Sequence, residues 1–446
     1  MASPNKAPEL LAPAGNLRNL EYAIRYGADA VYAGMPRYSL RVRNNDFSTL
    51  EQLKKGIDIV HAAGKEFFLA SNLLPHDSKV KSYIDDISPI IELKPDALIM
   101  ADPGLIMMVR EKWPELPVHL SVQANTMNSA AVKFWHSMGV KRVILSRELS
   151  LDEVAEIRQE CPEMELEVFV HGALCIAYSG RCLLSGYFNH RDANQGSCTN
   201  SCRWDYKVSN DPENQTTEPQ LVSGSCGDAE RNPLSEQSYL LEEANRPGEM
   251  MPIEEDEHGT YIMNSKDLRA VEHIHRLVEM GVDSLKIEGR TKSHYYVART
   301  TQIYRKAIDD AVAGRPFDPE SLGELENLAN RGYTDGFFVR HHTQDYQNYI
   351  SNYSGSKKQQ FVGEVSAYQP DSGIATIEVK NKFRVGDAIE IICAGGNQTI
   401  TLEQINDMKG NPMEEVPGGG YQVQIPLPPL AEGGYELALL ARNLAQ

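Results

Sequence analysis

The sequence predicts an α/β protein: a TIM-like (β/α)8 barrel with a cysteine-rich insertion, followed by a small C-terminal antiparallel β-barrel. Three observations carry that reading. Short β-rich apolar runs alternate with amphipathic helical patterns through most of the chain. Several of these runs are apolar throughout rather than alternating, as strands covered on both faces require. Near residue 360 the long helical patterns stop, and short strands separated by turns take over.

The barrel strands are expected at Glu9–Ala12, Ala30–Ala33, Phe67–Ala70, Ala97–Met100, Val118–Val122, Val143–Leu145, Leu166–Val170 and Ser284–Ile287. Between them lie amphipathic segments such as Asn16–Tyr26, Leu50–Ala63, Lys79–Leu93 and Leu151–Glu160. Each connection except the last has the length of a helical crossover. Eight such units favour a closed barrel over an open doubly wound sheet, which periodicity alone leaves as the alternative. Beyond the seventh strand, RWDYKV reads as another strand, and the polar stretch Ser209–Glu257 as a long acidic loop. HGTYIMNSKDL reads as a strand leading into a helix over Leu268–Met280, and Tyr295–Ala313 as the helix that closes the barrel. Arg331–Phe338 (RGYTDGFF) is a glycine-punctuated link. The strands FVGEV, GIATIEV, AIEIIC, QTITLEQI, YQVQIPL and YELALLAR then build the second unit. The expected organisation is therefore a catalytic barrel over 1–330, containing the cysteine segment and insert at 172–262. A linker covers 331–359 and the small β-barrel 360–446.

With 41% hydrophobic and 24% charged residues, the 446-residue chain has the composition of a water-soluble globular protein. The start MASPNKAPELLAP lacks the basic and apolar regions of a signal peptide, and no apolar run reaches membrane-spanning length. A reducing cytoplasm is the expected compartment. The formal net charge of −18 argues against general affinity for nucleic acid, because phosphate contacts need Lys and Arg. Much of that acidity sits in the 209–257 insert, so a local basic face is compatible with it. Lys380, Lys382 and Arg384 give the C-terminal unit one basic loop, as readily a stabilising feature as an RNA contact.

Seven cysteines are present, and four of them crowd into His171–Cys202 in the order Cys175, Cys182, Cys198, Cys202. Clustered thiolates select soft metals, so the residues alone point to zinc or an iron–sulfur cluster. The spacing is not a pair of C-x2-C knuckles, which weakens zinc. A disulfide framework belongs to small secreted domains. Cys226 is a possible substitute ligand.

In a barrel, chemistry gathers at the C-terminal ends of the strands. The residues just past each run are Arg37, Arg41 and Arg43; Ser71 and Asn72; Asp102; Gln123 and Asn125; Ser146, Arg147 and Glu148; His171; and Lys286, Glu288 and Arg290. A single Arg or Glu at a strand end is usually a structural ion pair. Several cations at one rim suit a substrate with more than one negative group. His171 could be a metal ligand, a base or a satisfied core histidine. No G-x-S-x-G elbow, H-E-x-x-H helix or Walker loop is present, so hydrolase, zinc-protease and NTPase readings lack their usual signatures.

ELLAPAG, GADAVYAG, RVILSREL, HGALCIAYSGRC with a second cysteine pair, SKDL, SLKIEGR and RGYTDGFF together resemble the collagenase-like peptidase family U-32. The resemblance covers essentially the whole chain. YAGMPRYSLRVRNNDF and the intact tail look like the branch that modifies tRNA. The resemblance implies a [4Fe–4S] cluster ligated by Cys175, Cys182, Cys198 and Cys202. It also implies prephenate-dependent conversion of the wobble uridine (position 34) to 5-hydroxyuridine, with tRNA and prephenate as partners. Prephenate is a dicarboxylate, in keeping with the cationic rim. Arg37, Arg41, Gln123, Arg147, Lys286 and Arg290 are then the candidates for substrate binding, and His171 and Glu288 for proton handling. The family name keeps a peptidase acting on collagen-like substrates as a rival, and a tRNA-binding accessory with a structural cluster as a third reading.

Overall fold

A computed structural model describes residues 6–35, 37–40, 46–174, 178, 266–328, 330, 332–339, 359–429 and 434–444. It also gives the backbone of short strands at 206–210, 239–243, 250–253, 255–256 and 259–260. Arg41, Arg43, the cysteine quartet, Cys226 and most of the linker lie outside the described residues.

Eight parallel strands close on themselves: β1 (Glu9–Pro13), β2 (Ala30–Gly34), β3 (Glu66–Ser71), β4 (Ala97–Met100), β5 (Val118–Leu120), β6 (Arg142–Ile144), β7 (Glu165–Ala173) and β8 (Ser284–Ile287). Each pairs with the next, and β8 lies between β7 and β1, with Leu285 opposite both Val168 and Leu10. The expected barrel is present, with strand positions near those the apolar runs indicate. Its outer ring is α1 (Leu17–Arg25), α2 (Leu50–Ala62), α3 (Asp77–Ile91), α4 (Pro103–Lys112), α5 (Ser129–Ser137), α6 (Leu151–Glu160), α7 (Ile274–Met280) and α8 (His294–Val312).

Side chains just past the strands start several helices by accepting orphan backbone N–H groups. Asn16, Asp102, Asn128 and Ser293 do so singly, and Ser150 with Glu153 forms a capping box. Asp102, placed at the rim by the sequence, is therefore an N-cap, accepting from the Leu105 amide at 2.9 Å.

The expected helix over Leu268–Met280 is shorter. Asp267–Arg269 is a strand lying antiparallel to the end of β7, with Leu268 opposite Gly172 and Arg269 opposite His171. A 3-10 turn, Val271–His273, then leads into α7. Leu268, Val271, Ile274 and Leu277 are all buried at helical spacing, but pairing with β7 claims the first of them.

The C-terminal unit is a seven-stranded antiparallel sheet curled as a half-barrel. Its strand order is Gln398–Thr401, Ala388–Ile392, Leu439–Asn443, Gln359–Gln369, Ile374–Val379, Gln422–Pro426 and Asn406–Asp407. Alternate residues such as Ala375, Ile377 and Val379 point into its core. Its three expected basic residues are each ion-paired: Lys380 with Glu364 and Glu378, Lys382 with Glu415, and Arg384 with Asp387. Among the described residues, no helix is long and apolar enough to cross a membrane.

Candidate functional site

The polar part of the barrel mouth is organised by β8, because period-two alternation turns Lys286 and Glu288 to the same side. Lys286 is 3% exposed, and its Nζ lies 2.8 Å from Glu167 Oε1, one strand away on β7. Burial lowers the lysine pKa and the neighbouring Glu167 carboxylate opposes that fall. Nζ also sits 4.5 Å from the centre of the Tyr32 ring. Deeper still, Arg142 bridges Glu167 at 3.2 Å and Glu9 at 2.7 Å. The barrel core thus contains a chain of charge running from its N-terminal mouth to Lys286.

Tyr32, which the sequence reading treated only as a strand residue, is the hub of the upper layer. Its hydroxyl donates to the Ile287 carbonyl at 2.9 Å and lies 3.4 Å from Glu288 Oε2. Its ring carries the Arg290 guanidinium at 5.6 Å in addition to Lys286. Arg290 in turn donates to Ser39 Oγ at 2.8 Å. Arg147 stacks 3.8 Å above the Phe169 ring and reaches to 3.7 Å from Glu288 Oε2. The structure therefore brings Arg147, Lys286, Glu288 and Arg290 together around Tyr32 and Phe169.

The other predicted residues lie around this cluster. Arg37 is half-exposed and turned onto α3, paired with Asp86 at 2.7 Å and donating to Ser82 Oγ at 3.1 Å. Gln123 is half-buried in a 3-10 turn, Val122–Ala124, and its amide donates to the capping Ser121 Oγ at 3.3 Å. Polar side chains stitch this side of the rim: Asn72 donates to Ser121 Oγ, and Ser146 Oγ to Asn125 Oδ1 at 2.8 Å. Asn125 adopts the left-handed region at φ 52°, a conformation that Asn tolerates.

His171 is 1% exposed and enclosed by the rings of Tyr296, Tyr304 and Tyr333, with centroids 5.7, 5.4 and 5.3 Å away. Its Nδ1 is 3.3 Å from the Tyr304 hydroxyl, which itself donates to the Val170 carbonyl at 2.7 Å. Burial, with lesser effects from Lys292 and Arg269, pushes its pKa from 6.5 down to about 3. The imidazole is neutral at ordinary pH. The next residue, Gly172, has φ +103°, and a Cβ there would strike the Glu288 carbonyl oxygen. This close approach of β7 and β8 is closed by the Glu288 amide donating to the His171 carbonyl at 2.8 Å.

β7 ends at Ala173, so the chain enters the cysteine segment directly from this mouth. The sulfurs of Cys175, Cys182, Cys198 and Cys202 lie outside the described residues. Cys161 and Cys393 are buried free thiols, and burial raises the Cys393 pKa to about 11.

The family model for peptidase family U32 matches residues 15–348, and that for the family's C-terminal domain matches 357–437. The chain belongs to peptidase family U32. It is 57% identical to tRNA hydroxylation protein P of Escherichia coli strain K12, over 98% of this chain and 97% of that protein. The protein of the same name from Haemophilus influenzae is 54% identical, over 98% and 96%. A Porphyromonas gingivalis protein named collagenase is 28% identical over 90% of each chain.

Proposed function

We propose that this U32 protein hydroxylates tRNA, converting the wobble uridine (position 34) to 5-hydroxyuridine in a prephenate-dependent reaction. The observation that carries the reading is the near full-length identity of 57% to a protein named for tRNA hydroxylation. The alternative, peptidase activity, has a relative named collagenase at half that identity.

Four thiols in one short segment are a donor set that suits an iron–sulfur cluster, and Cys175, Cys182, Cys198 and Cys202 are its proposed ligands. Such a cluster supplies one-electron or Lewis-acid chemistry when bound. The rest is work for the chain's own side chains. Arg147 and Arg290 present flat guanidinium groups at the mouth, the geometry that pairs with carboxylates. Lys286 adds positive potential from beneath, its ammonium engaged by Glu167. Glu288 is the proposed group that takes or gives a proton, a reading supported by its position beside Arg147 and the Tyr32 hydroxyl. His171, neutral and enclosed, holds the strand ends as a hydrogen-bonding group. Arg37 and Gln123 extend the proposed substrate-binding surface outward, and Arg41, outside the described residues, stays a candidate by sequence.

The test is nucleoside mass spectrometry of tRNA from a strain lacking the gene. Loss of 5-hydroxyuridine and its derivatives, restored by the wild-type gene, is the expected result. Unchanged tRNA, together with gelatin cleavage by the pure protein, would return the peptidase reading. Hydroxylation surviving in a folded Cys198→Ala variant would demote the cluster to scaffold.

A further inference from the structure

Beside the barrel mouth, outside the set of side chains gathered on Tyr32, three potential ligand atoms meet. His273 Nε2 lies 3.5 Å from Glu272 Oε1 and 3.7 Å from Asp335 Oδ2, and ligand atoms of all three fall within 4.8 Å of one another. Nothing in the tRNA reading uses these side chains. We propose that Glu272, His273 and Asp335 form a three-ligand site for a divalent first-row cation.

The imidazole carries the argument. His273 Nε2 is buried and has no hydrogen-bond partner, a state that is destabilising when uncompensated. Both carboxylates stand beyond the roughly 2.8 Å of a direct charge-assisted hydrogen bond to it. A cation about 2.1 Å from each donor in tetrahedral geometry spaces donors about 3.4 Å apart, within a few tenths of the two separations from His273 Nε2.

The three residues are also held in place by separate hydrogen-bonded stretches. The His273 amide donates to the Ala270 carbonyl at 3.0 Å, and the Ala270 amide to the Val170 carbonyl of β7 at 2.9 Å. Tyr333–Thr334 pairs with Asp267–Leu268, which sets the register of Asp335. The Phe338 amide donates to the Asp335 carbonyl, and the Leu151 amide to the Phe338 carbonyl at 3.2 Å. The Phe338 ring packs edge-on to His273 at 6.1 Å. These bonds fix the backbones that carry the ligand side chains, so a cation would bind without moving the chain.

One imidazole and two carboxylates favour Mn2+, Fe2+ or Zn2+ over soft Cu(I). Three protein ligands leave room for water. Asp335 also lines a small cleft with Ser146 and Arg147, so the cation would clamp the 332–339 segment against the barrel beside the mouth.

Manganese is the discriminating probe, because thiolates compete poorly for it. Full-length, cluster-loaded protein is titrated with Mn2+, and free Mn2+ is followed by electron paramagnetic resonance. Wild type is expected to take up one equivalent, and the thermal midpoint should rise with it. His273→Gln and Asp335→Asn should each weaken uptake at least tenfold, the order of loss seen when a metal's supporting groups are removed. Glu272→Gln, at an exposed position, should weaken uptake while leaving the metal-free melting unchanged. Absence of uptake by wild type overturns the proposal. So does uptake that persists in His273→Gln and Asp335→Asn, which would assign the binding to the acidic insert.

Discussion

His171 stays neutral because its surroundings offer three aromatic rings and a single hydroxyl in place of water. The unfolded imidazole titrates near 6.5 and the folded one near about 3. Between those values the unfolded chain binds more protons, so stability is full above pH 6.5 and falls as the pH drops towards 3. At pH 5 the loss from this one group is about 2 kcal/mol. His294, lowered to about 4 by burial, leans the same way, as does fully buried His119. Urea unfolding at pH 7.5 and pH 5 should therefore show a steep loss in the wild type and a shallower one in His171→Gln. An equal slope in both would mean that the folded imidazole is not held neutral. Glu288 and Arg147 make the chemical predictions at this scale. Glu288→Gln keeps the shape but removes the proton acceptor, and kcat for tRNA hydroxylation should fall about a hundredfold or more. Arg147→Lys keeps the charge but loses the flat group stacked on Phe169, so KM for prephenate should rise roughly tenfold with kcat little changed. Steady-state kinetics at varied prephenate separates the two effects.

The closing strand pair, β7 with β8, is where the barrel and the site become one object. Lys286 and Glu167 face each other across it with side chains 4% and 0% exposed, and Arg142 shares the same carboxylate. Removing one partner of a buried pair leaves an uncompensated charge, at a cost of about 3–5 kcal/mol. Lys286→Met should lose about that much in urea unfolding; a loss under about 1 kcal/mol would show that Arg142 alone satisfies Glu167. The strands themselves were legible in the sequence because parallel strands covered on both faces leave unbroken apolar runs such as AVYA and ALIM. The polar rim was legible for the same reason, since polar residues follow those runs abruptly. Orientation was not. SLKIEGR gives Lys286 and Glu288 the same face, but only tertiary contact shows Lys286 turned down to Glu167 and Arg37 turned outward to Asp86. Glu167 itself was an available signal, a lone charge inside the apolar run LEVFV. Tyr32 gave none, because a tyrosine in a buried strand reads as core. The shortened helix before α7 has a similar cause, in that local periodicity carries no trace of the pairing that β7 imposes on Leu268.

At the scale of the whole molecule, the C-terminal sheet is built into the barrel's outer layer. Glu364, 3% exposed, receives Arg18 and Tyr22 from α1, His294 from α8 at 3.2 Å and Lys380 from its own sheet at 3.1 Å. Around it the Tyr26 hydroxyl donates to the Ile392 carbonyl at 2.8 Å, Arg299 pairs with Glu390 at 2.7 Å, and Phe361 stacks on Tyr295 at 4.8 Å. Ile392, Leu439 and Ala441 belong to the barrel's apolar core, while the rest of the sheet keeps a core of its own. Two cores joined through these contacts, with Glu364 at their centre, should unfold together. The sequence supplies the probe: its three tryptophans, Trp113, Trp135 and Trp204, all precede the C-terminal unit. Tryptophan fluorescence therefore carries no signal from within the C-terminal unit, whereas far-UV circular dichroism follows both units. In the wild type the two denaturation curves should coincide, the mark of a single cooperative transition. In Glu364→Ala, Arg18 loses its carboxylate, Lys380 keeps only Glu378 and neutral His294 loses its acceptor, and the interface should weaken by about 1–3 kcal/mol. The two curves should then separate, with one unit unfolding at lower urea than the other. Coincident curves in that variant would place the coupling in the apolar contacts of Ile392, Leu439 and Ala441 instead.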